Sequence, residues 1–144
     1  MSKNNGKPSE KEYLAHLKCI MEANHEFIYG RFTDSSDARN LVQPAPSDYY
    51  ITWRSQPWLV EVKSSVDLIR FPLKNISGSQ LGFAMRYIKA GWRSMFILHH
   101  LPTQSWYFVP FSIVMDKFKS PAASWKWEEL AKYKYEIKFE FWRH

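Results

Sequence analysis

PSDYYITWRSQPWLVEVKSS, residues 46–65, is the stretch from which the rest of this chain can be read. It holds two runs of strand-forming residues, 48–53 and 58–64, separated by Arg54, Ser55, Gln56 and Pro57. That pattern predicts a β-hairpin. Pairing Arg54 with Pro57 across the turn sets Asp48 opposite Lys63 and Tyr50 opposite Glu61. Strand side chains alternate between faces, so Asp48, Glu61 and Lys63 share one face, with Glu61 diagonal to Asp48. Val60 and Val62 then point the other way, into a core. The arrangement depends on the turn, because a slip of one residue would exchange the faces.

Two carboxylates this close repel each other unless a hard cation lies between them. Mg2+ takes oxygen ligands and keeps several waters, so Asp48 and Glu61 are the candidate metal ligands, with Mn2+ as an alternative ion. A metal-bound water can lose a proton and attack a phosphodiester. Lys63, two residues beyond Glu61, can orient that water or offset the charge growing on phosphate. Trp58, Leu59, Val60 and Val62 describe a buried strand, on which charged residues are costly unless used. The plainer alternative is an ordinary ion pair between Asp48 and Lys63.

Working outward, Ser9 with Glu12 three residues later reads as a capping box opening a helix. Tyr13, Leu14, Leu17, Ile20 and Met21 form its apolar stripe, and the helix is expected to end near Asn24. Residues 27–32 suit a strand, and 33–47 a loop rich in Ser, Asp and Pro. Ser77 caps a second helix carrying Leu81, Ala84, Met85 and Ile88 at helical spacing, with Gly91 as its stop. Residues 94–99 and 105–109 read as strands, 111–118 as a short helix and 125–132 as another helix. Residues 133–142 alternate apolar and charged side chains, as a strand does. The order predicts an α/β domain: a central mixed β-sheet flanked by helices. Residues 1–8 read as a flexible tail and 9–144 as one domain.

Hydrophobic residues make up 45% of the 144 residues, which excludes a disordered chain. The net charge of +6 favours an anionic partner such as nucleic acid. A single cysteine, Cys19, forbids an internal disulfide and points to a reducing cytoplasm. Its expected state is a buried, inert thiol. No apolar run approaches the ~18 residues of a membrane span, and the polar N-terminus is unlike a signal peptide. The histidines lack zinc spacing; His99 and His100 are expected to face opposite sides of a strand. Trp53, Trp58, Trp92 and Trp106 are expected in the core.

The hairpin resembles the active-site hairpin of PD-(D/E)xK nucleases, the restriction-endonuclease-like core. The continuation RFPLKNISGSQ, residues 70–80, resembles the segment after the ExK motif in RecU-type Holliday junction resolvases. There an FPLKN run leads to a glutamine opening the next helix. SQLGFAMRYIKAGWRSMFILHH, residues 79–100, keeps the same rhythm of helix, glycine and apolar strand, and the resemblance spans roughly residues 10–115. It implies a Mg2+-dependent, structure-selective endodeoxyribonuclease, a homodimer that resolves DNA four-way junctions by paired nicks in recombination and repair. It implies Asp48 and Glu61 as metal ligands, Lys63 as the catalytic lysine and Gln80 beside the active site. Gln80 has an equal claim as the partner of Ser77 in a capping box. The family's first helix also supplies an acidic residue to the site. Glu10 is preferred for it because it shares the stripe of Tyr13, Leu14 and Leu17, whereas Glu12 suits the capping box. Arg70 and Lys74 flank the FPLKN run and are the candidate DNA-backbone contacts. Family members carry a long insertion where residues 33–47 are short, which suggests a compact, phage-type version at work in a bacterial or phage-infected cell. The rivals are another nuclease of this superfamily and a catalytically silent DNA-binding module on the same fold.

Overall fold

In the computed structural model, which describes residues 6–32 and 46–136, the elements run α1 (Gly6–Ala23), β1 (Phe27–Arg31), β2 (Tyr49–Trp53), β3 (Gln56–Ser65), β4 (Arg70–Pro72), α2 (Gly78–Lys89), β5 (Arg93–His100), β6 (Ser105–Pro110), α3 (Phe111–Lys119), β7 (Ser124–Lys126) and β8 (Lys134–Tyr135). Short 3-10 helices at Leu73–Asn75 and Trp127–Tyr133 complete the described chain. The main sheet is ordered β1-β2-β3-β5-β6-β8, and β4 with β7 makes a separate two-stranded ribbon. All neighbours in the main sheet are antiparallel except β3 and β5, which are parallel. The expected α/β fold with a central mixed sheet is therefore the observed one.

Both faces of the sheet are covered. Tyr13, Leu17 and Ile20 of α1 pack with Ile51, Val60, Val62, Met95 and Ile97 on one side. On the other, Leu81, Ala84 and Val114 pack with Leu59, Phe96, Leu98 and Val109, extended by Phe71, Trp125 and Trp127. Burial on both faces makes β3 and β5 nearly continuous apolar runs, as strands flanking a parallel pairing are. Glu61 and Lys63 are exceptions in that run, and they lie on the side of α2.

The hairpin differs from its expected register. Trp53 pairs with Gln56, so the turn is Arg54–Ser55. Both turn residues have positive φ, 49° and 70°. Only a mirror-image two-residue turn of this kind matches the right-handed twist of its strands. The register therefore moves by two residues, and Asp48 comes opposite Glu61 instead of Lys63. An even shift leaves every side chain on its expected face. A Cβ at Gly30 would run into the end of the Tyr50 side chain, whose ring crosses β1 there and would have to move.

Other boundaries also move. α1 begins at Gly6, so residues 6–8 are helical and Ser9 lies inside the helix, not at its cap. Ser9 is fully buried, and its hydroxyl meets His99 Nδ1 at 2.6 Å. That tertiary bond is why a capping pattern sits at an interior position. Glu12 is simply exposed. Cys19 is exposed, contrary to expectation, because it lies off the Tyr13–Leu17–Ile20 stripe by which α1 meets the sheet. The helix expected over 125–132 is β7 followed by a 3-10 helix, since Trp125 pairs with Phe71 across the ribbon. Of the strand expected at 133–142, Lys134–Tyr135 is seen, and residues 137–142 lie outside the described residues. The tail 1–5 and most of the 33–47 loop also lie outside them. No helix among the described residues is long and apolar enough to cross a membrane.

Candidate active site

Glu61 enters the site from the middle of β3, beside Phe96 of β5, and is only 4% exposed. Its Oε2 accepts a hydrogen bond from Gln80 Nε2 at 3.0 Å and forms an ion pair with Lys63 Nζ at 3.1 Å. Its Oε1 is buried with no hydrogen-bond donor. Asp48 precedes β2 and is half-buried. The backbone N–H of Val62 donates to Asp48 Oδ2 at 2.9 Å, tying the carboxylate to the strand that carries Glu61. The N–H of Phe32 donates to the Asp48 carbonyl at 3.3 Å and holds this residue against the end of β1.

The electrostatics follow from burial. Glu61 is pushed up to about 7, first by desolvation and then by the negative charge of Asp48; Lys63 and Gln80 act in the opposite direction. Burial also raises Asp48, against the pull of the Val62 amide and the Lys63 ammonium. The pair must share a proton or a cation, because two adjacent buried carboxylates cannot both ionise without one. The donor set fits a hard divalent ion: an orphaned, buried Oε1 on Glu61 beside Asp48, with Oε2 already engaged.

Gln80 touches both Ser77 and Glu61. Its Oε1 accepts from the Ser77 N–H at 3.4 Å, and the Ser77 hydroxyl accepts from the Gln80 N–H at 3.3 Å, which closes the capping box of α2. Its Nε2 remains to donate to Glu61. Glu10 of α1 lies against Tyr49. Its carbonyl accepts from the Tyr49 hydroxyl at 3.3 Å. Burial first, then the charge of Glu10, pushes that hydroxyl up to about 12. Among the described residues no group of three or more His, Cys, Asp or Glu side chains is arranged to hold a metal ion. Asp48 and Glu61 are the two carboxylates whose charges act directly on each other here.

Arg70 and Lys74 line a hollow whose walls do not include Asp48 or Glu61. Both are exposed, and the open hollow, of about 520 Å³, is also lined by Leu73, Phe118 and Ser124. Arg70 Nη1 donates to Ser124 Oγ at 3.3 Å. One residue went unnoticed in the sequence. Arg31, at the end of β1, pairs with Tyr49, lies 5.6 Å from its ring centroid and draws Asp48 downward. Only the β1–β2 register reveals this, because a 17-residue gap in sequence separates the two. His99 and His100 do face opposite sides: His99 stacks on Trp106 and His100 on Trp127.

No family model matches this chain, and no curated protein is similar to it. Among solved structures it is similar to Hjc of Archaeoglobus fulgidus, a Holliday junction resolvase from an archaeal hyperthermophile. The TM-score is 0.58 at 18% identity, covering 92% of this chain and 97% of that one. The likeness extends over nearly the whole of both chains, so what it shows is a fold shared with Hjc.

Proposed function

We propose that this protein is a divalent-cation-dependent DNA endonuclease that acts on branched DNA, a Holliday junction resolvase of RecU-like sequence character. The observation that carries the reading is the buried Glu61, with Oε1 unpartnered beside Asp48 and Oε2 held by Lys63 and Gln80. Such a carboxylate is stable in a folded protein only when a proton or cation completes it. The solved Hjc structure supplies the link from this fold to junction DNA.

Mg2+, held by Asp48 and Glu61, would supply an acidic water and charge neutralisation at a phosphodiester. The chain's own residues do the rest. Val62 fixes Asp48 through its backbone N–H, and Gln80 fixes Glu61, so the ligand pair is set before DNA arrives. Lys63 carries a positive charge at the same carboxylate, where it can hold a water or a phosphate oxygen. Glu10 would add a further carboxylate to the shell, and Arg31 would meet a phosphate. Arg70 and Lys74 hold the DNA backbone farther out. A two-fold pair of such sites in a homodimer would produce two symmetric nicks.

The test is cleavage of a synthetic four-way junction with Mg2+, Mn2+ or EDTA, by the wild type and by Asp48→Asn and Glu61→Gln. Cation-dependent nicking by the wild type alone is expected, with DNA binding retained in both variants. Wild-type-like cleavage by either variant would remove the metal-site reading. Binding without cleavage by every form would leave a silent DNA-binding module.

A further inference from the structure

Three aliphatic side chains project into solvent on the loop that leaves the catalytic strand: Val66 at 58% exposure, Leu68 at 73% and Ile69 at 66%. Other described large hydrophobics are mostly enclosed, so this concentration on one short loop stands apart. The loop is not loose. Ser65 Oγ accepts from the Asp67 N–H at 3.1 Å. Asp67 Oδ1 accepts from the N–H groups of Ile69 and Arg70 at 2.9 and 2.8 Å. Trp127 Nε1 donates to the Asp67 carbonyl at 2.9 Å, and His100 Nε2 lies 3.0 Å from the same oxygen. The Trp127 N–H donates to the Ile69 carbonyl at 3.0 Å. The backbone N–H and carbonyl of Asp67 and of Ile69 are thus hydrogen-bonded, while the side chains of Val66, Leu68 and Ile69 are exposed.

Two features say what this loop meets. Cations bracket it: Arg70 and Lys74 line the hollow on one side, and Lys126 lies, beside Glu128, in a hollow of about 330 Å³ with Leu68 and Ile69 on the other. An apolar tip between cationic flanks is complementary to nucleobases between phosphates. The area points the same way. Three such side chains offer on the order of 300 Å², well short of the ~800 Å² per partner that a stable protein interface takes. Val66 also follows Lys63 by three residues, so the loop begins about 10 Å along the strand from the site.

We infer that Val66, Leu68 and Ile69 form a wedge that packs against unstacked bases at a break in the DNA duplex, with Arg70 and Lys126 on the adjoining phosphates. The inference rests on the proposed DNA-cleaving function and gives it a means of choosing branched over continuous duplex. A continuous duplex exposes no base faces to aliphatic side chains; a branch point does, at small unstacking cost.

The experiment uses the full chain in EDTA, where binding is read without cleavage. A four-way junction carries 2-aminopurine at the branch, and the comparison is with Leu68→Ser/Ile69→Ser. Both positions are exposed, so the fold is retained, as unfolding curves can verify. Wild-type binding is expected to raise 2-aminopurine fluorescence severalfold. The variant is expected to lose most of that rise and about tenfold of its preference for the junction, with affinity for linear duplex changed less than twofold. A second variant, Leu68→Met, is expected to retain the rise. An undiminished rise in the serine variant overturns the wedge. So does binding by the wild type with no rise, or a serine variant that only shifts a dimer to monomer in sedimentation. Failure of the wild type to cleave with Mg2+, with the fluorescence rise intact, would sink the catalytic reading and leave the wedge.

Discussion

At Glu61 the energetics of a single side chain connect fold stability to function. A carboxyl whose folded pKa is raised holds more protons folded than unfolded between its unfolded value, about 4.3, and about 7. The cation-free protein is therefore expected to lose stability as pH climbs through that window, by on the order of 3 kcal/mol from this residue. Urea unfolding in EDTA at pH 5 and pH 8 reads the difference. Glu61→Gln is expected to flatten it, and Mg2+ at pH 8 to restore the wild type. A slope unchanged by the substitution would assign the effect to another group. Lys63 is the companion case. Lys63→Ala removes the charge 3.1 Å from Glu61 Oε2 but leaves both carboxylates, Asp48 and Glu61, in place. Single-turnover cleavage is expected to slow by more than tenfold, about 1.4 kcal/mol of barrier, while Mg2+ still raises the melting temperature. A smaller loss would mark Lys63 as an ion-pair partner only.

At the scale of elements, α2 is where a helix cap and the candidate site become one structure. Ser77 and Gln80 close the capping box, and the same glutamine reaches Glu61. Gln80→Ala is expected to cost about 2–4 kcal/mol of stability, the sum of a cap and a hydrogen bond to a charged group. Ser77→Ala is expected to cost about 1 kcal/mol. The two effects will not add, because both break the same box, and a double-mutant cycle measures the coupling. Additive losses would show that the glutamine acts on Glu61 independently of the cap. The hairpin teaches a related lesson. Its turn holds Arg54 and Ser55 at positive φ without a glycine or asparagine, a local conflict carried by β3, whose residues 56–60 pair with β2 and 58–65 with β5.

For the whole molecule, the main sheet separates two apolar layers, and the candidate site opens where β2 and β3 meet on the α2 side. The protein carries a net charge of +6, so DNA affinity is expected to fall steeply with salt. On the proposed reading, four-way junctions outcompete linear duplex at moderate salt, and both nicks map symmetrically across the branch. Equal affinity for linear duplex, or one unpaired nick, would remove the resolvase assignment and leave a nuclease.

The β-pattern of residues 48–64, the face shared by Asp48, Glu61 and Lys63, the Ser77 capping box and the mixed α/β order were all legible in the sequence. Each rests on periodicity or on contacts within a few residues, and alternation survives even a two-residue error in register. The turn position was not legible, since Arg54–Ser55 carries no glycine signal and its geometry is imposed by the strands. Nor was the β4–β7 ribbon, whose pairing of Phe71 with Trp125 joins residues far apart in sequence. Ser9 shows the same limit: its hydroxyl reads as a helix cap until His99, ninety positions away, is brought against it. Arg31 beside Asp48, and the orphaned Oε1 of Glu61, exist only once β1, β2, β3 and α2 are packed together. Local patterns decide which face a side chain takes; burial and long-range pairing decide what it meets there, and so its charge.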